Sequence, residues 1–232
     1  MDGNTAPRTR RPLIRRLLSR VLIPLAKRKI ARTHDVRVLG FDLTIPPTVF
    51  DPSLFLSSKY FAQYLQTLPL AGKSVLEIGC GSGILSLAAA RAGAIVTAID
   101  LNPEAVICSR DNASRNNLAQ QVTVHVSDQF QAINEVRFDL VFSNPPYYTG
   151  SVSDISSHAW MGGINLEFFK TFAGNLGAHL SIGGNALMIL SEDADIGAIR
   201  AIFQNSGFAM DEIDTRRLRF EQFFIYKIVP KQ

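Results

Sequence analysis

The residues best suited to chemistry fall at the ends of short apolar runs. Asn144 ends the run FDLVFSN and is followed at once by Pro145, Pro146 and Tyr147. A plain turn does not need that arrangement. Pro145 drives Asn144 out of helical backbone conformation and Pro146 does the same to Pro145, which fixes the direction of the polar groups between them. Tyr147 adds a flat aromatic face. Upstream, Gly79, Gly81 and Gly83 in VLEIGCGSG have G-x-G-x-G spacing, one residue shorter than the dinucleotide fingerprint, and no G-K-[ST] follows them. Glu77 precedes these glycines inside an apolar run, where a carboxylate is costly unless it has a partner. Asp100 ends the next run, AIVTAID, at the place where a carboxylate can accept both hydroxyls of a ribose. Asp128 ends VTVHVSD and can either meet an adenine amine or cap a loop. These groups describe a nucleoside pocket with acidic residues and no phosphate grip, suited to a nucleoside with a positive attachment.

The elements that must position these residues follow from the apolar pattern. KSVLEIG reads as a buried strand, ILSLAAARAG as a helix closed by Gly93, and AIVTAID as a second strand. Asn102 is an expected cap and Pro103 an expected first residue of the helix over NPEAVICSRDNASRNN. VTVHVSD, FDLVFSN and NALMIL supply further strands, with a helix over NLEFFKTFAGNLGAHL. Strand and helix alternating at this spacing predict a parallel sheet covered on both faces. FAMDEIDTRRLRFEQFFIYKIV has no room for a crossover helix between its two apolar runs, so an antiparallel pair should close one edge. The expected fold is thus α/β, a Rossmann-like doubly wound seven-stranded sheet, mostly parallel with an antiparallel C-terminal strand, in three layers. Before it, FDLTIPPTVFDPSLF suggests an irregular wrap and a helix at about Ser58–Leu68.

Charge is unevenly spread. Residues 1–37 hold eleven Lys/Arg against Asp2 and Asp35, giving +9, while the rest holds thirteen against eighteen acids, giving −5. Leu13, Ile14, Leu17, Leu18, Val21, Leu22 and Leu25 alternate with arginines in the manner of an amphipathic helix broken at Pro24. The expected organisation is a basic extension over 1–37, an irregular and helical lead-in over 38–72, and a catalytic domain over 73–232. The basic stripe suits RNA, a ribosome-bound substrate or an anionic membrane surface, and its composition also fits a mitochondrial presequence. No apolar run is long enough for a membrane span, and a soluble, cytoplasmic protein is expected. Cys80, Cys108 and the scattered histidines indicate neither a disulfide framework nor a metal site.

The run VLEIGCGSG…AID…VSD…FDLVFSNPPY resembles the class I S-adenosylmethionine-dependent methyltransferases, in the branch carrying NPPY after the fourth strand of the sheet. The resemblance covers about residues 70–230. It implies S-adenosylmethionine as cofactor, bound by Glu77, Gly79, Gly81, Gly83, Asp100, Leu101, Asp128 and Asn144. It implies that the Asn144 side-chain oxygen and the Pro145 carbonyl accept the two N–H bonds of a planar amide or amine, with Asn144, Pro145 and Tyr147 as the catalytic set. Pro146, Tyr147, Phe50 and Trp160 are the implied substrate contacts.

Motif order and small size resemble the HemK-like glutamine methyltransferases, as do VFDP before the first helix and AWMGG at Ala159–Gly163. That resemblance implies a macromolecular substrate, a protein glutamine such as that of a peptide release factor, and admits a small activator subunit. Release-factor enzymes carry an acidic residue and a threonine soon after the VF-x-P element. Here that region reads SLFLSSKYF, with Ser57 and Ser58 as its polar candidates. Amine methylation of RNA, a small-molecule amine substrate and a non-catalytic S-adenosylmethionine-binding protein stay open.

Overall fold

The computed structural model describes residues 32–145, 166–219 and 221–231. Tyr147, Pro146, Trp160 and the basic segment over residues 1–31 lie outside them. Among the described residues a hairpin comes first, β1 (His34–Val38) with β2 (Phe41–Ile45), then α1 (Leu56–Leu65). Then β3 (Ser74–Ile78), α2 (Ile84–Arg91), β4 (Ile95–Asp100), α3 (Pro103–Arg115), β5 (Val122–Val126) and β6 (Phe138–Ser143) alternate. The chain closes with α4 (Glu167–Leu176), β7 (Leu180–Ser191), α5 (Ile196–Asn205), β8 (Phe208–Leu218) and β9 (Glu221–Pro230).

Strands β3 to β9 form one seven-stranded sheet in the order β5-β4-β3-β6-β7-β9-β8. All neighbouring pairs are parallel from β5 to β7, and β9 runs antiparallel to both β7 and β8. The expected fold is therefore present, with β9 as the antiparallel C-terminal strand. Alternate residues of β3 divide between two cores. Val75 joins Phe61, Leu87 and Val106 beneath α1, α2 and α3, whereas Leu76 and Ile78 join Phe169, Phe172 and Phe203 beneath α4 and α5. That division makes the three layers. None of the helices among the described residues is long and apolar enough to cross a membrane.

The lead-in differs from the sequence reading. FDLTI is a paired strand, and the hairpin β1–β2 straddles the boundary expected between residues 37 and 38. Leu39 and Gly40 have φ of 53° and 75°, the two positive values that a two-residue turn of type I′ requires. Side chains of α3 and of its C-cap, Asn116, then pair with the free edge of β2. The Thr44 N–H donates to Asn112 Oδ1 at 2.8 Å and the Asp42 N–H to Asn116 Oδ1 at 3.0 Å, while Asn116 Nδ2 returns a bond to Asp42 O at 2.8 Å. These amides do what a third strand would do, which is why so short a hairpin is held. The helix expected at about Ser58–Leu68 begins two residues earlier and ends at Leu65.

Candidate active site

β3 is followed in the chain by β4 on one side and flanked by β6 on the other, so the sheet changes direction between β3 and β6. Crevices outside the carboxyl ends of strands at such a point are the usual ligand sites of open α/β sheets. The candidate residues Gly79, Asp100 and Asn144 directly follow or end β3, β4 and β6. The mouth is fixed by Ser143, whose buried Oγ donates to Ile78 O at 2.8 Å and ties the end of β6 to the end of β3.

The glycine turn runs from β3 into α2. Gly79, Gly81 and Gly83 all have positive φ, at 79°, 51° and 83°. Gly83 is the strictest position, because a Cβ there would lie 2.5 Å from Ser109 Oγ and 3.2 Å from the Ser109 backbone on α3. A Cβ on Gly79 would meet nothing within 4 Å, so this side of the turn opens to the crevice. Asn112 supports the turn from behind, with Nδ2 donating to Ser82 O at 2.9 Å.

Asp100 organises both sides of the crevice. Its Oδ2 accepts the Gly81 N–H at 2.8 Å and its Oδ1 accepts the Asn102 N–H at 2.9 Å. Burial raises the pKa of this carboxyl, and the backbone donors at Asn102, Gly81 and Leu101 oppose the rise. A carboxylate oxygen has room for a second hydrogen bond, so both oxygens can still accept a diol. Asn102 caps α3 as expected, its Oδ1 accepting the Glu104 N–H at 3.0 Å, with Pro103 in the first turn. Leu101 is 42% exposed beside Asp100 and offers an apolar surface to a base.

Glu77 is the fourth residue of β3, one residue before the strand gives way to the glycine turn. It is 1% exposed, its Oε2 accepts the Ser86 hydroxyl of α2, and burial pushes its carboxyl up to about 8. Its placement is that of a neutral group locking the turn to α2. Asp128 is exposed at the end of β5, with Gln131 Nε2 at 3.4 Å from its Oδ2. It stands on the same sheet edge as Asp100, one strand further out.

Phe50 lies against the glycine turn, its Cβ 3.9 Å from a Cβ built on Gly81, and its ring stacks on Phe55 with centroids 4.0 Å apart. The strap carrying it is tied down where Asn102 Nδ2 donates to Thr48 O at 3.2 Å and where Thr48 Oγ1 donates to Glu104. Phe50 is thus placed on the cofactor side of the crevice as well as near the start of α1.

Asn144 is half-buried at the end of β6 and Pro145 is buried. The Asn144 amide nitrogen donates to Ser58 Oγ at 3.0 Å and reaches Ser57 Oγ at 3.4 Å, and its Oδ1 accepts no hydrogen bond among the described residues. The serines were visible only as polar residues in SLFLSSKYF; their contact spans 86 and 87 positions of sequence. Asn112 was missed as a site support, although its repetition four residues on at Asn116 marks one face of α3. A separate cavity of about 550 Å³, lined by Tyr60, Tyr64, Asp214 and Arg216, contains none of the candidate site residues.

The groups present fit a nucleoside held through its sugar. A carboxylate with spare acceptor capacity, an open glycine turn and an exposed leucine suit S-adenosylmethionine.

The methyltransferase small domain model matches residues 47–206. The ribosomal protein L11 methyltransferase of Aeromonas hydrophila is 48% identical over 84 residues, which cover 35% of this chain and 28% of that protein. Its counterpart in Aliivibrio salmonicida is 39% identical over 100 residues, 43% of this chain and 33% of the relative. The matches thus span about a third or less of these curated relatives. Among solved structures, a methyltransferase from Pyrococcus furiosus superposes with a TM-score of 0.64 at 23% identity, covering 91% of this chain and 98% of that one. The T. thermophilus 16S rRNA N2 G1207 methyltransferase, in complex with AdoMet and guanosine, gives 0.62 at 22% identity over 87% of this chain and 50% of that one. With its fold, its crevice and a family match over more than half its length, the chain belongs to the methyltransferase small domain family of S-adenosylmethionine-dependent enzymes.

Proposed function

We propose that the chain methylates a planar amide or amine nitrogen of a macromolecule, with a protein glutamine side chain as the first acceptor class and a HemK-like relationship as the reason for that choice. The observation that carries this reading is Asn144, which stands at the mouth beside the glycine turn with its amide nitrogen held by Ser58 and its oxygen unused among the described residues.

In this reading the Asp100 carboxylate holds the ribose hydroxyls of the cofactor, Leu101 lies against its base, and the glycine turn allows close backbone approach. Asp128 lies further out, toward the base, and the neutral Glu77 braces the turn from the protein side. When bound, the cofactor supplies a methyl carbon made electrophilic by its sulfonium. Asn144 Oδ1 and the Pro145 carbonyl accept the two N–H bonds of the acceptor nitrogen. These contacts localise its lone pair and stabilise the positive charge that develops on it. No strong general base is required, because a methylated amide or aryl amine nitrogen loses its extra proton readily to water. Tyr147, Pro146, Trp160 and the ring of Phe50 complete the acceptor slot in this proposal.

A second acceptor class, an exocyclic amine of RNA, is favoured by one observation: the +9 charge on residues 1–37 against −5 on the rest. A basic segment of that strength attracts phosphate backbones. A parallel assay separates the two classes. The full chain is incubated with methyl-labelled S-adenosylmethionine and, separately, a purified peptide release factor, ribosomal protein L11 and 16S rRNA, followed by mass spectrometry of digested products. Label on a glutamine amide supports the first class, and label on a base amine supports the second. Label confined to oxygen or carbon atoms contradicts both.

A further inference from the structure

We infer that Ser57 and Ser58 are positioning residues for the reaction, orienting the Asn144 carboxamide so that its oxygen, not its nitrogen, faces the acceptor. This rests on the role given to Asn144 above. A carboxamide has nearly the same shape when turned by 180° about its last bond, but its two ends have opposite hydrogen-bonding polarity. An Asn144 turned the wrong way would present donors to the N–H groups it has to accept. Something must therefore select one orientation.

The two serines are placed to do so. They are the second and third residues of α1, whose N-cap, Phe55, makes no side-chain capping bond. Serines in a first helical turn ordinarily serve the helix end or face water. Here both are buried, at 4% and 3% exposure, and both hydroxyls lie within reach of one amide nitrogen. Burying a hydroxyl is costly without a partner, and Asn144 is the partner these two share. The amide nitrogen has two hydrogens, which matches two acceptor oxygens.

The platform carrying the serines is rigid. On α1, Tyr60, Phe61 and Leu65 are each within 1% of complete burial. Phe61 meets Phe142 edge-on with centroids 6.1 Å apart, and Phe142 lies two residues before Asn144 on β6. The Phe50–Phe55 stack fixes the chain just before the helix starts. The start of α1 and the end of β6 are thus held against each other independently of the polar contact, so the serines can bias the amide without building the fold.

The test compares the wild type with Ser57→Ala/Ser58→Ala, Ser58→Thr and Asn144→Ala, using the acceptor found in the parallel assay. The double alanine variant should lose roughly ten- to thirtyfold in kcat, as for loss of one or two hydrogen bonds, with KM and cofactor Kd unchanged to within about twofold. Ser58→Thr, which keeps the hydroxyl, should retain about a third or more of wild-type kcat. A second readout does not require turnover. With asparagine-selective 15N labelling, the Asn144 side-chain amide pair, identified by its loss in Asn144→Ala, should exchange with water roughly tenfold faster in the double variant. Unchanged kcat in the double variant while Asn144→Ala is inactive would overturn the inference, as would unchanged amide exchange. An active Asn144→Ala would instead remove the functional reading beneath it, and the exchange measurement would still decide whether the serines hold the amide. If the double variant does not fold, the single alanine variants carry the same comparison.

Discussion

Replacing Glu77 by glutamine should raise stability over the wild type progressively between about pH 4.5 and about pH 8 and leave it nearly untouched below that window. Glu77 is 1% exposed, and burial moves its carboxyl from 4.5 to about 8 against the opposing hydrogen bond from Ser86. Between those values the unfolded chain has released a proton that the folded chain retains. The unfolded state then binds fewer protons, so folding stability falls as pH rises through that window. Below it both states are protonated and the penalty vanishes; above about 8 the penalty is complete. At about 1.36 kcal/mol per pH unit, the full effect is on the order of 5 kcal/mol, of which about 4 kcal/mol develops above pH 5. Glutamine stays neutral throughout and can still accept the Ser86 hydroxyl through its amide oxygen. Urea unfolding of both proteins from about pH 5 to about pH 9 should show the variant gaining on the wild type by about 4 kcal/mol, with most of the gain below about pH 8. A difference between the two that stays constant across the range would refute the burial argument and place an ionised Glu77 in the folded protein.

Asp100→Ala should weaken S-adenosylmethionine binding by roughly ten- to a hundredfold, as charge-assisted ribose hydrogen bonds are lost, and Asp128→Ala should weaken it less. Titration calorimetry showing the reverse order would remove Asp100 from the ribose. Gly83→Ala forces a left-handed alanine whose Cβ would lie 2.5 Å from Ser109 Oγ, and should cost about 2–4 kcal/mol of stability. A loss below about 0.5 kcal/mol in denaturant unfolding would show that the turn and α3 are not in close contact.

The legible parts of this fold were those set by local pattern. The glycines, the Asn102-Pro103 helix start and the apolar runs ending in Asp100 and Asn144 each mark a turn, a helix start or a strand end within a few residues, and the structure brings these to one end of the sheet. The hairpin β1–β2 was less visible, although Val36, Val38, Phe41, Leu43 and Ile45 alternate with polar residues around the Leu39-Gly40 turn. The two prolines after Ile45 favour irregular chain in the local pattern, and the Asn112 and Asn116 amides that pair with β2 come from about seventy residues away. Glu77 shows the same limit. Its place inside an apolar run calls for a partner, but only the packing of α2 identifies that partner as Ser86. Ser57 and Ser58 could be named from sequence as polar residues, but their bearing on Asn144 required the closure of α1 onto β6.

The central claim is that Asn144 acts on the acceptor nitrogen and not on cofactor binding. Single-turnover methyl transfer by Asn144→Ala, with S-adenosylmethionine saturating and its Kd measured alongside, tests this most directly. The rate should fall by roughly a hundred- to a thousandfold, as for loss of one preorganised contact to developing charge, with cofactor Kd within about twofold of wild type. A wild-type rate, or a rate loss fully explained by weakened cofactor binding, would contradict that claim.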